Sequence, residues 1–210
     1  MYECLRHARR ASVRDNHAVA PTVIPSAAAA PCPDVEVVFA RGTTEPAGVG
    51  GIGQAFVDSM RGRLGDRSVG VYAVNYPASR DFAVSTRAGA DDTRAHVQSM
   101  AADCPATKMV LGGYSQGAAV IDVATGAMAP TVAPHVAAVA LFGGPRSSFA
   151  DRLSPGRLPS VGPDYAAKTI DLCVPNDPIC FEGGRDMGAH VAYVQTGLVN
   201  QAAEFAAGRI

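Results

Sequence analysis

Short apolar runs alternate with longer amphipathic stretches along most of this chain, from residue 32 to the end. The apolar runs predict buried strands at residues 35–40, 69–75, 109–111, 136–142 and 168–173. The other stretches predict helices at residues 54–64, 86–102, directly after residue 115, and at 189–207. Loops rich in small residues and proline are expected at residues 41–53 and 146–166. Because near-continuous apolar strands that alternate with helices form parallel sheets covered on both faces, the pattern predicts an α/β fold.

Residues 1–31 do not follow this pattern. They begin with several arginines and end in an alanine-rich segment that resembles a signal-peptide cleavage region, with cleavage expected after Ala30. The apolar stretch of a normal signal peptide is missing, so two explanations stay open: a degenerate export signal, or a start codon other than the native one. We therefore predict a tail or atypical export signal at residues 1–31 and one domain at residues 32–210.

Composition narrows the function classes. With 210 residues, 48% of them hydrophobic and 18% charged, the chain can bury the core of a single domain. The net charge of −1 gives no general attraction to nucleic acid, so no nucleic-acid partner is expected. No run of 18 apolar residues occurs, and no transmembrane segment is predicted.

The segment KMVLGGYSQGAAV, residues 108–120, carries the clearest chemical pattern. Gly113, Ser115 and Gly117 form the G-x-S-x-G sequence of a nucleophile elbow, in which a tight strand-to-helix turn exposes a serine hydroxyl. The next backbone N–H, that of Gln116, would then lie at a helix N-terminus and face a developing oxyanion. An ordinary glycine-rich turn is the alternative, but an apolar run before the motif and a helix-compatible run after it favour the elbow.

A nucleophilic serine needs a histidine base, and His190 is the best candidate. It follows the last predicted strand beside a glycine-rich loop, although a plain helix N-terminal residue remains the alternative. Of the other four histidines, His7 and His17 lie in the tail. His135 precedes a strand, at the edge of the sheet where strands begin, away from the expected crevice. His96 is expected on a solvated helix surface, paired with Asp92 four residues earlier.

The acid that orients the base is expected after the fifth strand, because such hydrolases carry serine, acid and histidine in that order. Asp177 fits best. Asp171 lies within the strand, and Glu182 and Asp186 in the following loop are the runners-up.

The loop after the first strand should supply a second oxyanion donor. Thr43 offers both a backbone N–H and a hydroxyl there. Alternatively, Thr43 and Thr44 only stabilise the turn.

The chain has five cysteines, one in the tail and four in the globular part. Four fit two disulfides in an oxidising compartment, whereas buried free thiols in a cytosolic protein are the alternative. No C-x-x-C pair and no cysteine–histidine group with zinc spacing occurs, so no metal site is predicted.

Four features together resemble the cutinase family of serine esterases, and most closely the cutinase-like proteins of bacteria with mycolic-acid cell walls. They are ARGTTE at 40–45, GYSQG at 113–117, CVPNDPIC at 173–180 and His190, in the family's order. The resemblance covers residues 32 to about 208. It implies a small α/β-hydrolase with a central five-stranded parallel sheet and helices on both faces. It also implies export.

The resemblance implies roles for particular residues as well. Ser115, Asp177 and His190 would form the catalytic triad, and the backbone N–H groups of Thr43 and Gln116 the oxyanion hole. Disulfides would join Cys32 to Cys104 and Cys173 to Cys180, leaving Cys4 unpaired. No cofactor is expected.

The expected function is a secreted or cell-wall-associated serine carboxylesterase that acts as a monomer on short to medium acyl esters, including lipids. A phospholipase, thioesterase or acetylxylan esterase on the same fold is the enzymatic alternative. A catalytically silent cell-wall binding protein or antigen is the non-enzymatic one, and a serine peptidase is a weaker third. Four apolar residues are candidate substrate lips, with ordinary packing as the alternative: Phe82, Val84, Phe181 and Met187.

Overall fold

The computed structural model describes residues 31–154 and 158–210. The predicted tail or export signal therefore lies outside the described residues, apart from Pro31. Residues 32–210 form one compact unit. Within the described ranges, no helix combines the length and the apolar composition that a membrane crossing requires.

The described residues contain a five-stranded parallel sheet. Its strands are β1 (Val35–Ala40), β2 (Val69–Ala73), β3 (Lys108–Tyr114), β4 (Val136–Phe142) and β5 (Thr169–Leu172). Their order across the sheet is β2-β1-β3-β4-β5, and every neighbouring pair is parallel. The predicted fold class is therefore confirmed. The strand order reverses between β1 and β3, and ligands of such sheets bind beyond the carboxyl ends of the strands at that point.

Helices cover both faces of the sheet. The described ones are α1 (Gly50–Leu64), α2 (Phe82–Asp103), α3 (Gln116–Gly126), α4 (Ser148–Asp151), α5 (Pro163–Ala166), α6 (Met187–His190) and α7 (Leu198–Ala207), with a 3-10 helix at Pro130–His135. Helices α1 and α7 pack on one face, and α2 and α3 on the other.

Strand β1 shows how the two faces are built. Successive side chains of a strand point to opposite faces. Val37 and Phe39 accordingly pack in the α1–α7 core, where the Phe39 ring lies 6.1 Å from that of Phe56. Val38 and Ala40 pack in the α2–α3 core. A strand buried on both faces is mostly apolar, which is why every residue of β1 except Glu36 is apolar.

The largest difference from the predicted elements lies at the C-terminal end. The single helix predicted at residues 189–207 is wrong, because α6 ends at His190 and α7 begins at Leu198. Gly197 between them has a φ of 78°, a left-handed conformation that glycine adopts without strain. The break lets His190 lie at the carboxyl edge while α7 packs against the sheet. Elsewhere α1 and α2 begin four residues earlier than predicted, and the predicted loop at 146–166 contains α4 and α5.

The predicted surface pairing of His96 with Asp92 is also wrong. His96 Nε2 lies 2.8 Å from Glu36 Oε2, and its ring stacks on Tyr72 at 3.5 Å between centroids. Asp92 instead accepts hydrogen bonds from the Tyr72 hydroxyl and from Asn75 N. Glu36 is buried on β1 beneath α2, and a buried carboxylate needs a polar partner from the helix above it.

Both disulfides implied by the resemblance are present. Cys32 and Cys104, 72 residues apart, have Cα atoms 5.6 Å apart and join the start of β1 to the end of α2. Cys173 and Cys180, with Cα atoms 5.7 Å apart, close the loop after β5. By chain entropy the long loop contributes about 4 kcal/mol to stability and the short one about 2–3 kcal/mol. The short bridge shapes the segment that carries Asp177.

Candidate active site

Ser115 lies on a strained turn between β3 and α3. Its φ of 55° and ψ of −117° are sparsely populated for a residue with a side chain. The flanking glycines make the turn sterically feasible. A Cβ at Gly113 would lie 2.3 Å from Gly117 O, and one at Gly117 would lie 1.9 Å from Ala40 O. The backbone is therefore packed too closely for any other residue at these two positions, as the elbow pattern predicts.

His190 reaches the serine from the far side of the cavity. Its Nε2 lies 3.0 Å from Ser115 Oγ. The short helix α6 presents the ring, and Asp186 caps that helix by accepting a hydrogen bond from Gly188 N at 2.8 Å. Tyr114 donates to the backbone oxygen of His190 at 2.8 Å. The base is thus held from both its helix and the strand that leads to the serine.

Asp177 completes a line of hydrogen bonds. Its Oδ2 lies 2.8 Å from His190 Nδ1, and the side chain is fully buried. Burial alone would raise the pKa of Asp177. Hydrogen bonds from His190, from the Tyr193 hydroxyl and from Ile179 N together outweigh that effect and hold the pKa below its usual value. Asp177 therefore stays ionised and can orient and stabilise a charged imidazole.

The runner-up acids have other partners. Asp171 is exposed and accepts a hydrogen bond from Arg146 Nε at 3.1 Å. Glu182 accepts from Ser148 N and Oγ at 2.8 and 2.6 Å. Asp186 caps α6. Of these candidates, Asp177 is the carboxylate that the structure brings to His190.

Tyr193 is a part of the site that sequence reasoning missed. It is fully buried, and its hydroxyl donates to Asp177 Oδ2 at 2.6 Å. Burial and the adjacent Asp177 carboxylate raise the pKa of the phenol, so it remains a donor at neutral pH. Because the predicted helix ran through this position, no signal in the sequence pointed the side chain at the acid.

Replacing Tyr193 with phenylalanine should give a pH-dependent loss of stability. A hydrogen bond to a charged group contributes about 1.5–3 kcal/mol, which corresponds to a fall in Tm of about 3–12 °C. Asp177 has a lowered folded pKa, so this contribution is complete above the unfolded carboxyl pKa of about 4 and is lost as pH falls through the folded value. The Tm gap between wild type and Tyr193→Phe should therefore be constant near neutral pH and should narrow as pH falls through the folded pKa of Asp177.

Tyr165→Phe is the matched control. Tyr165 is equally buried, but its hydroxyl contacts the uncharged sulfur of Met128 at 3.4 Å. Its cost in Tm should not change with the ionisation of Asp177. A Tyr193→Phe gap that does not narrow as Asp177 becomes protonated in the folded protein would show that the hydroxyl does not act through the carboxylate.

The two predicted oxyanion donors line the same cavity as Ser115. Gln116 is the first residue of α3, so its N–H has no acceptor within the helix. Thr43 lies in a braced loop. There, Glu45 accepts from Gly42 N at 2.6 Å, and buried Arg41 donates to Tyr76 O at 2.7 Å. The bracing fixes the Thr43 backbone beside the elbow.

The Gln116 side chain has a role that the sequence did not reveal. It is buried, donates to Ser79 O at 2.9 Å and accepts from Ser85 Oγ at 3.2 Å. It therefore ties the residue after the serine to the segment before α2. Thr44 N, which donates to Ala78 O at 2.7 Å, ties the Thr43 loop to the same segment.

A cavity of about 520 Å³ opens beside Ser115 and His190. Two of the predicted lip residues, Phe82 and Met187, line it. Val84 and Phe181 do not, and their side chains are 63% and 48% exposed. Residues two positions apart in a helix are separated by about 200° around its axis. The Val84 side chain therefore points away from the cavity side that Phe82 faces. The apolar lining that the sequence did not predict comes from Pro145, Ala150, Leu153 and Ile179.

One group of described side chains has metal-ligand proximity, namely Cys173, Asp177 and Cys180. The two sulfurs are joined in a disulfide, and Asp177 is held by His190 and Tyr193. The sulfurs are bonded to each other and the carboxylate is hydrogen-bonded, so the group does not suit a metal ion.

Known proteins resemble the chain in sequence over nearly all of this domain. The family model described as cutinase matches residues 31–210. Carboxylesterase Culp1 of Mycobacterium tuberculosis is 59% identical over 186 residues, which cover 88% of this chain and 85% of the relative. Phospholipase Culp4 of the same organism is 48% identical over 200 residues, covering 90% of this chain and 84% of that protein.

Solved structures agree. A Trichoderma reesei cutinase in complex with a phosphonate inhibitor superposes with a TM-score of 0.70 at 37% identity, covering 85% of this chain and 77% of that one. The catalytic core of acetyl xylan esterase from the same organism gives a TM-score of 0.71 at 25% identity, covering 86% of this chain and 100% of the other. On the family match, the sequence identities and the shared fold, the chain belongs to the cutinase family.

Proposed function

We propose that this protein is a secreted serine carboxylesterase that cleaves acyl esters through an acyl-enzyme on Ser115. The observation that carries the proposal is the unbroken line of hydrogen bonds from Asp177 through His190 to Ser115, beside a cavity with one apolar side. Membership of the cutinase family and the similarity to Culp1 support the reaction class.

The geometry suits attack on an ester carbonyl. His190 Nε2 removes the Ser115 proton as Oγ bonds to the carbonyl carbon, and the carbonyl electrons move onto oxygen. When the tetrahedral intermediate collapses, the bond to the alcohol oxygen breaks and His190 returns the proton to the leaving alcohol. Water, activated by the same histidine, then releases the acid. Asp177 keeps Nδ1 protonated and stabilises the imidazolium.

The oxyanion of that intermediate needs fixed donors. The N–H groups of Gln116 and Thr43 are the proposed pair, because both residues line the cavity beside Ser115. Donors held in place before the reaction avoid reorganisation as charge develops, and each contributes about 2.7–4 kcal/mol to the barrier reduction. The ties from Gln116 to Ser79 and from Thr44 to Ala78 supply that rigidity.

The apolar side of the cavity suits an acyl chain. Leu153, Ile179 and Met187 line it together with Pro145 and Ala150. A cavity of this volume favours short to medium chains. Cleavage of longer lipids, as the name of Culp4 suggests for that relative, and deacetylation of xylan, as for the structural neighbour, remain the alternatives.

Export and a monomeric state belong to the same proposal. Two disulfides support an oxidising compartment outside the cytosol, or the cell wall. One chain supplies every residue of the proposed triad and oxyanion hole, so a monomer suffices for the reaction.

A chain-length series of nitrophenyl esters tests the proposal. Butyrate, hexanoate and octanoate should be hydrolysed with a higher kcat/KM than acetate or palmitate, because they fill the cavity without extending past it. Turnover of acetate alone would favour deacetylation of xylan, and turnover of palmitate alone would favour cleavage of longer lipids. Failure of the folded, oxidised protein to hydrolyse any ester would favour the silent binding protein.

A further inference from the structure

Arg80 gives the cavity a charge that the reaction itself does not require. Among the described residues that line the cavity, Arg80 is the one permanently charged side chain. The other described lining residues are apolar or neutral and polar, together with His190, and none of them is a carboxylate. Arg80 therefore gives the lining beside Ser115 a positive charge.

The guanidinium is available to a ligand. In the part of the chain that the structure describes, Arg80 is exposed and its side chain has no hydrogen-bond or ion-pair partner. Its neighbour Asp81 caps α2 at Val84 N and does not line the cavity. Arg146, close by in sequence to the lining residue Pro145, is by contrast held by Asp122 and Asp171. Arg80 thus differs from the structural arginine near the same site.

The backbone places Arg80 on the oxyanion side of the cavity. The preceding residue, Ser79, accepts a hydrogen bond from the Gln116 side chain, and Ala78 accepts one from Thr44 N. Of the apolar lining, Phe82 is close to Arg80 in sequence, whereas Leu153 and Ile179 belong to other loops. A substrate whose acyl chain packs on Leu153 and Ile179, with its alcohol oxygen at His190, leaves the part of the cavity lined by Arg80 to a substituent of the alcohol.

We propose that Arg80 is a specificity-determining residue that binds an anionic group in the alcohol part of the ester. The ligand chemistry is a phosphate, because a guanidinium fork pairs with phosphate oxygens through two parallel hydrogen bonds. A cavity with one sign of charge also concentrates oppositely charged substrate. The inference rests on the proposed esterase function and assigns it a substrate class: acyl esters of phosphorylated alcohols, as soluble molecules or as phospholipids.

A matched pair of soluble esters tests it. We would compare kcat/KM for butyrylglycerol phosphate and for neutral monobutyrin in wild type, Arg80→Gln and Arg80→Lys. Arg80→Gln should lower the ratio of the two kcat/KM values about tenfold, the effect of one charge-assisted hydrogen-bonded contact at an exposed site. Arg80→Lys should retain part of the ratio, since it keeps the charge but not the fork. Added salt should reduce the wild-type ratio toward that of Arg80→Gln.

Arg87→Gln is the control for net charge. Arg87 is an exposed arginine on α2 that does not line the cavity, so its removal should leave the wild-type ratio unchanged. Phosphatidylglycerol vesicles form a second arm. A lower kcat/KM of Arg80→Gln on both anionic substrates supports recognition of the phosphate group itself. A lower kcat/KM on the vesicles alone supports a lipid headgroup as the source of the phosphate.

Equal ratios for wild type and Arg80→Gln on both anionic substrates would overturn the inference. So would an equal change caused by Arg87→Gln, because the effect would then be that of overall charge. Failure of the wild type to hydrolyse even monobutyrin and nitrophenyl butyrate would instead contradict the proposed esterase function. The two failures are therefore distinguishable.

Discussion

Replacing Ser115 with alanine should lower kcat for nitrophenyl butyrate by at least about 10³-fold. The substitution removes the oxygen that forms the acyl-enzyme and leaves the backbone of the elbow in place, because alanine keeps the Cβ at the strained φ of 55°. A residual rate above that in water is expected from the oxyanion donors and from substrate binding. Initial rates at saturating ester, with Tm as the check of folding, measure the effect.

Ser59→Ala is the matched control for this experiment. Ser59 is an α1 residue whose hydroxyl donates a hydrogen bond to Asn200 Oδ1 at 2.8 Å. Neither Ser59 nor Asn200 lines the cavity. Its loss should leave kcat unchanged. Turnover by Ser115→Ala at the wild-type rate would exclude Ser115 as the nucleophile.

Asp177→Asn should lower kcat by about 10³–10⁴-fold with little change in binding. All three groups around the carboxylate are donors: His190 Nδ1–H, the Tyr193 hydroxyl and Ile179 N. An asparagine must turn its NH₂ group toward at least one of them. The substitution therefore either disturbs the tautomer and orientation of His190 or opposes Ile179 N, and it removes the charge that stabilises the imidazolium.

Asp171→Asn serves as the control, because Asp171 is an exposed carboxylate on β5 that pairs with Arg146 instead of His190. Steady-state kinetics should show kcat close to wild type for Asp171→Asn, with KM similar in both variants. A severe loss in Asp171→Asn together with a mild one in Asp177→Asn would reverse the assignment of the acid.

Local patterns carried most of the information that the sequence contained. The buried strands were predictable because a strand covered on both faces is almost wholly apolar, as in β1, where Glu36 is the one polar residue. The Ser115 turn was predictable because close backbone contacts, within the turn and with the adjacent strand β1, require glycine at positions 113 and 117. Asp177 and His190 followed from chain order, since both lie after β5 at the same edge of the sheet.

Features that depend on distant contacts could not be read in this way. The pairing of His96 with Glu36 is set by how α2 lies across β1, 60 residues away in sequence. Helical periodicity predicted one continuous helix at residues 189–207. The break between α6 and α7 instead allows the Tyr193 hydroxyl to bind Asp177. Helix α2 was predicted to begin only at residue 86, so the sequence likewise did not show that Phe82 faces the cavity and Val84 does not.

Peptide mapping after reaction with a serine-directed phosphonate tests the central claim most directly. If Ser115 is activated by His190, its Oγ should displace the leaving group from phosphorus and leave one adduct, on the peptide that contains Ser115. The same probe should leave Ser115→Ala unlabelled and should label Asp177→Asn far more slowly than wild type. An active protein with its adduct on another serine, or with no adduct at all, would contradict the account.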